Sequence, residues 1–65
     1  MKKLIVNGEE YKFLYDFGTE TKMEGSYYTN DYDPAWAIVT ADGKLQRLFN
    51  GRVYDWKVAY NIVEE

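Results

Sequence analysis

Arg47 is the side chain here with the clearest capacity for recognition chemistry. A guanidinium is permanently charged and presents a planar fork of donors, suited to a phosphate, a carboxylate or a nucleotide. Its neighbours in a paired-strand reading are rings, Trp36, Tyr54 and Trp56. The same neighbours allow a structural role, with the stem packed on the rings and the head reaching water or a carboxylate. A second candidate group lies in the polar stretch Thr29-Asn30-Asp31-Tyr32-Asp33-Pro34, just after Tyr27 and Tyr28. Polar, ring-bearing loops are frequent binding segments. Asn30, Asp31 and Asp33 offer oxygen donors, but a calcium loop needs more ligands in fixed order and a downstream carboxylate. No metal site is expected.

The chain has no His and no Cys. That removes the commonest catalytic base, the commonest metal ligand, disulfides and thiolate chemistry. Nucleophile–base pairs are then limited to lysine or carboxylate variants. Eleven acidic residues make accidental carboxylate pairs easy, and nothing in their spacing selects two. Glycine motifs that cradle phosphates are absent. The expectation is a non-catalytic protein without a cofactor.

The elements that position these residues are read from turns. Asn7-Gly8, Asp42-Gly43 and Asn50-Gly51 are each flanked by strand-like sequence. Such pairs accept the positive φ angles of two-residue type I′ hairpins. From Arg52 to Val63 a period of two puts Tyr54, Trp56, Val58, Tyr60 and Ile62 on one side, whereas a helical period scatters them, so this segment reads as strand. A two-residue turn at Asp42-Gly43 opposes Thr40 to Leu45, Ile38 to Arg47 and Trp36 to Phe49. One at Asn50-Gly51 opposes Phe49 to Arg52, Arg47 to Tyr54 and Leu45 to Trp56. Opposed residues share a face, so Trp36, Ile38, Leu45, Phe49, Tyr54 and Trp56 are expected on one side, with Arg47 at its centre.

Around Asn7-Gly8, Val6 opposes Glu9 and Leu4 opposes Tyr11, and the face continues through Phe13, Tyr15 and Phe17. Met23 to Thr29 reads as a short strand with Tyr27 or Tyr28 inward. Two apolar faces in one small domain should pack on each other. The expected fold is all-β, a small antiparallel sandwich or partly open barrel of five to six strands built from hairpins, as one domain over residues 1–65.

At 65 residues the chain is near the lower limit for a core without staples. Its aromatic fraction is 18%, with seven Tyr, three Phe and two Trp. Rings fill a thin core well, but this many leaves some for an interface. Net charge is −3 and uneven. Between positions 9 and 33 seven acids face only Lys12 and Lys22, a balance of −5. Between positions 42 and 57 Asp42 and Asp55 face Lys44, Arg47, Arg52 and Lys57, a balance of +2. An acidic half repels nucleic acid and attracts basic partners. Stacking platforms for single strands come with a basic groove, so nucleic acid is not an expected partner, although the C-terminal hairpin carries a small positive patch. No apolar run approaches a membrane span. The start, Met1 to Val6, stops being apolar at Asn7-Gly8 and reads as a strand rather than an export signal, so a cytoplasmic protein is expected.

The stretch Asp31-Tyr32-Asp33-Pro34-Ala35-Trp36-Ala37-Ile38-Val39 through Asp42-Gly43 to Leu48 resembles one hairpin of the phage-encoded uracil-DNA glycosylase inhibitors, over about a quarter of the chain. That family is a small, acidic β-sheet mimic of DNA. The acidic helical region it carries ahead of its sheet is missing here. The resemblance implies an acidic protein made to occupy another protein's binding site. The expected function is therefore a small β interaction module, an inhibitor or adaptor of phage or mobile-element type. It would act on a protein partner through aromatic and acidic surface, with self-association as a corollary. The alternative is a domain for a nucleotide or other anion centred on Arg47. Candidate binding residues are Arg47, Tyr54, Trp36, Tyr27, Tyr28, Asp31, Tyr32 and Asp33.

Overall fold

A computed structural model describes residues 2–18, 23–31 and 33–64. Seven strands are present: β1 (Lys2–Val6), β2 (Glu9–Gly18), β3 (Met23–Asn30), β4 (Asp33–Thr40), β5 (Leu45–Phe49), β6 (Arg52–Asp55) and β7 (Tyr60–Glu64). They form one antiparallel sheet in the order β6-β5-β4-β3-β2-β1-β7. The sheet is open between β6 and β7, so the fold is all-β and built from hairpins, as a single curled sheet rather than a two-sheet sandwich. No helix among the described residues is long and apolar enough to cross a membrane.

Two of the three expected turns form as read. Asn7 (φ 52°) and Gly8 (φ 80°), and Asn50 (φ 52°) and Gly51 (φ 74°), both take the paired positive φ of a two-residue hairpin. The resulting registers match expectation: Val6↔Glu9, Leu4↔Tyr11, Phe49↔Arg52 and Arg47↔Tyr54.

The turn at Asp42-Gly43 differs. Gly43 adopts φ 90°, but Asp42 keeps an ordinary φ. The loop holds three residues, Ala41, Asp42 and Gly43, with Gly43 N–H bonded to Thr40 C=O at 2.9 Å and Thr40 N–H to Lys44 C=O at 2.9 Å. This is the type I turn with a glycine bulge that serves three-residue hairpins. The Thr40 hydroxyl locks it, donating to the Asp42 carboxylate and accepting from Lys44 N–H. That hydroxyl bond is the main reason the Asp42 carboxyl titrates below its ordinary value. The extra residue moves the register by one: Trp36 opposes Leu48, Ala37 opposes Arg47 and Val39 opposes Leu45. Trp36 and Ile38 therefore leave the face that carries Leu45, Arg47, Phe49 and Tyr54.

A second irregularity acts on β2. Phe13 pairs with Tyr28, but Tyr15 pairs with Tyr27, leaving Leu14 as a bulge. One extra residue exchanges the faces beyond it. Tyr15 and Phe17, expected beside Phe13, therefore turn to the opposite side, and Asp16 and Ser26 take the inner position, joined by a hydrogen bond. Deleting Leu14 should merge the two registers while keeping every ring on its observed face, so that variant should still unfold cooperatively. Deleting Lys12, in the regular part of β2, should instead turn inner residues outward. A cooperative melt for the Lys12 deletion and none for the Leu14 deletion would refute the bulge.

The inner face carries the core of Leu4, Val6, Tyr11, Tyr28, Ala37, Val39 and Leu45. Phe13, Trp56, Val58 and Tyr60 pack against it. Three of these lie at or next to the crossing between β6 and β7, so the stretch read as one continuous strand is two strands on opposite edges. The chain passes between them through Trp56 to Ala59, bonded at its start by Trp56 N–H to Leu45 C=O at 3.0 Å. Tyr60, on β7, donates its hydroxyl to Gly43 C=O at 2.6 Å, tying the far edge to the β4–β5 turn.

Candidate functional site

The candidate site grows out of the two irregularities. Both send rings to the outer face of the sheet. Tyr15↔Tyr27↔Ile38↔Gln46↔Asp55 forms one cross-strand row, and Thr29↔Trp36↔Leu48↔Val53 forms the next. Phe17, opposite Gly25, adds the last ring.

The rings touch in sequence. Phe17 stacks on Tyr27 with centroids 4.5 Å apart and planes at 22°. Tyr15 meets the same tyrosine edge-on at 5.0 Å, and Trp36 meets it at 5.6 Å. Such edge and stacked geometries are those that aromatic quadrupoles favour. Tyr27 is thus the hub of a four-ring ladder. Ile38 lies buried within it, while Tyr15, Trp36 and Val53 remain 48%, 37% and 54% exposed. A shallow hollow of about 170 Å³, lined by Pro34, Trp36, Leu48, Phe49 and Asn50, continues the stripe toward the β5–β6 turn. On the β1–β2 side the apolar surface stops at ion pairs, Lys3 to Glu10 at 3.0 Å and Lys12 to Asp31 at 3.7 Å. Inside that border Asp55 is the charged side chain, and it accepts a hydrogen bond from Gln46 Nε2 at 3.4 Å.

The expected site residues divide among several environments. Tyr27 and Trp36 belong to the outer ladder. Arg47 and Tyr54 oppose each other on the other face, as the register predicts, and the Arg47 guanidinium lies 5.2 Å from the centre of the Trp56 ring. That is the geometry of a cation over an aromatic face. Tyr28 is only 1% exposed, packed edge-on against Phe13 at 5.8 Å, and burial is the leading cause that pushes its hydroxyl above the usual tyrosine range. It is a core residue. Asp31 is exposed at the β3–β4 connection and pairs with Lys12. Asp33 contributes through its backbone, paired with Asn30, and Tyr32 lies outside the described residues.

A larger hollow, about 380 Å³, is lined by Glu9, Glu10, Lys12, Thr29, Asn30 and Asp31. Three acids against one lysine make it a poor place for an anion. Neither hollow includes Arg47. Among the described residues no three acidic side chains come close enough to hold a metal ion. Tyr15, Phe17, Leu48 and Val53 are the site residues that sequence reasoning missed. Asp42-Gly43 carried a signal for the turn, since Asp-Gly also suits the three-residue loop. Leu14 carried none for the bulge.

No protein-family model matches the chain, and neither a search of curated proteins nor one of solved structures finds a match.

Proposed function

We propose that this chain is a non-catalytic interaction module that docks a protein partner through its outer aromatic stripe. The supporting observation is a connected ring ladder with Tyr15 and Trp36 exposed and Phe17 and Tyr27 half-buried, on a sheet face that no other described element covers. Exposed, contiguous apolar surface with a polar rim is the usual anatomy of a protein interface. Rings supply large contact area at low entropic cost, which is why hot spots are rich in them. Occupying another protein's binding surface, as an inhibitor or adaptor does, needs no more chemistry than this.

The test is retention of partner by immobilised protein from its native host. Tyr15→Ser with Trp36→Ser should abolish retention of whatever the unmodified chain holds, at unchanged far-UV circular dichroism. Arg47→Met should leave retention intact. The opposite pattern, together with a thermal shift on adding inorganic phosphate or a nucleotide, would move the site to Arg47 and overturn the proposal.

A further inference from the structure

We infer that Tyr15 and Tyr27 form an oxidative cross-linking site. There a haem peroxidase with hydrogen peroxide joins the two rings into a dityrosine that staples β2 to β3. This inference is independent of the docking reading above, because it needs only the chain and the oxidant. The first observation is geometry. Tyr15 and Tyr27 are direct cross-strand partners, so their side chains share a face. Their rings meet edge-on with centroids 5.0 Å apart, which is contact. Coupling therefore needs a rotation of the exposed Tyr15 side chain and no movement of the backbone.

The second is access. Tyr15 is exposed and Tyr27 half-buried. The other described tyrosines are placed differently. Tyr11 and Tyr28 lie in the core. The Tyr60 hydroxyl donates to Gly43 C=O, and Tyr54 stands on the opposite face across from Arg47. Trp36, exposed and 5.6 Å from Tyr27, is a further entry point for oxidation. An oxidised indole draws an electron from a neighbouring phenol, which releases its proton, so a radical formed at Trp36 ends on Tyr27. The chain has no cysteine whose thiol would quench a tyrosyl radical.

In the reaction each phenol loses one electron to the peroxidase and its hydroxyl proton to water. The unpaired electron spreads to the ring carbons beside the oxygen, and a C–C bond forms between one such carbon of each ring. Each joined carbon then releases its hydrogen as a proton while its ring oxygen takes one up, which restores both phenols. In sum the protein loses two hydrogen atoms and one hydrogen peroxide is reduced to two waters. The consequence is mechanical. The Tyr15↔Tyr27 pair follows directly on the Leu14 bulge, where regular pairing is interrupted. A covalent link there closes a short loop in the unfolded chain and limits its freedom, as a disulfide does. This small domain has no cysteine with which to make one.

The experiment treats the full chain, in dilute solution, with a haem peroxidase and hydrogen peroxide. Mass spectrometry should find a monomer lighter by two hydrogens, with dityrosine fluorescence. A tryptic digest should join peptide 13–22 to peptide 23–44 through Tyr15 and Tyr27. Tyr15→Phe should abolish that link, and Tyr54→Phe should leave its yield unchanged, both at unaltered far-UV circular dichroism. The linked chain should melt on the order of 10 °C above the unlinked one. Site mapping on the unmodified chain decides the matter even where a variant folds poorly. Links that form mainly between chains, or within the chain at other tyrosines, would overturn the inference. So would an equal yield from Tyr15→Phe, or a linked chain that melts no higher than the unlinked one.

Discussion

Gly25→Ala should cost about 4 kcal/mol and lower the melting temperature by roughly 16–32 °C. A Cβ at this position would lie 2.4 Å from the Val39 carbonyl oxygen and 3.0 Å from Thr40 Cα, both backbone atoms of the neighbouring strand. Neither can give way without opening the β3–β4 ladder. The same methyl would press on Phe17 at 3.0 Å, displacing the ring that stacks on Tyr27. The φ of +156° adds strain for any L side chain. Gly8 is the control: its Cβ would meet nothing within 4 Å, so Gly8→Ala should cost only the left-handed backbone penalty, about 1–2 kcal/mol. The two sites differ in a second readout. Gly25→Ala should also disturb the outer ladder and weaken whatever docks there, whereas Gly8→Ala should change stability alone. Equal losses at both sites would show that the close approach at Gly25 is not what makes it a glycine.

The second large effect is expected at Trp56. This ring begins the crossing between β6 and β7, meets Tyr11 edge-on at 6.1 Å and carries the Arg47 guanidinium at 5.2 Å. Its N–H is bonded to Leu45 C=O through the main chain, a contact that any substitution except proline keeps. Trp56→Ala should therefore remove packing without removing the bond, at about 3 kcal/mol, the low end for a large ring because this one is only half-buried. Trp56→Phe keeps an edge for Tyr11 and should lose less. In a domain of marginal stability that loss is a large fraction of the total. Chemical denaturation followed by circular dichroism measures it. Arg47→Ala should cost less in the Trp56→Ala background than in the unmodified chain, because the ring under the guanidinium is already gone; full additivity would break the proposed pairing.

The hairpins at Asn7-Gly8 and Asn50-Gly51 were legible because a pair of residues that tolerate positive φ leaves one short solution. Asp42-Gly43 admits two, and β4 could not decide between them. Ala35, Ala37 and Val39 are apolar on one side and Trp36 and Ile38 on the other. A one-residue slip therefore exchanges one apolar set for another, and the penalty that usually marks a wrong register is missing. In β2 the alternation Tyr11, Phe13, Tyr15, Phe17 argues for a straight strand. The bulge at Leu14 overrides it because the inner face at that end is occupied by Lys2, Asp16 and Ser26, with Lys2 paired to Asp16 at 3.6 Å. From Tyr54 to Ile62 the period of two runs unbroken through a segment that is not strand, since Trp56 and Val58 point inward from the crossing as Tyr60 does from β7. Arg47 was placed correctly with Tyr54 and Trp56, since the turn that sets those pairings was read correctly. Trp36 was not, for the turn reason alone. The stripe as a whole was hidden because both departures from regular pairing had to be known before its rings could be assigned to one side.

Every neighbouring pair in this sheet joins consecutive strands except β1 with β7, where Leu4 lies across from Ile62 and Lys2 from Glu64. Five hairpin contacts can thus form with small loops and little entropic cost, one after another along the chain. The last requires residues some sixty positions apart to meet, the slow kind of event in folding kinetics. The path to the native state is accordingly a ribbon that zips locally and is fastened late. Until that clasp closes, the edge of β1 is bare and is the place where two half-folded chains would exchange strands.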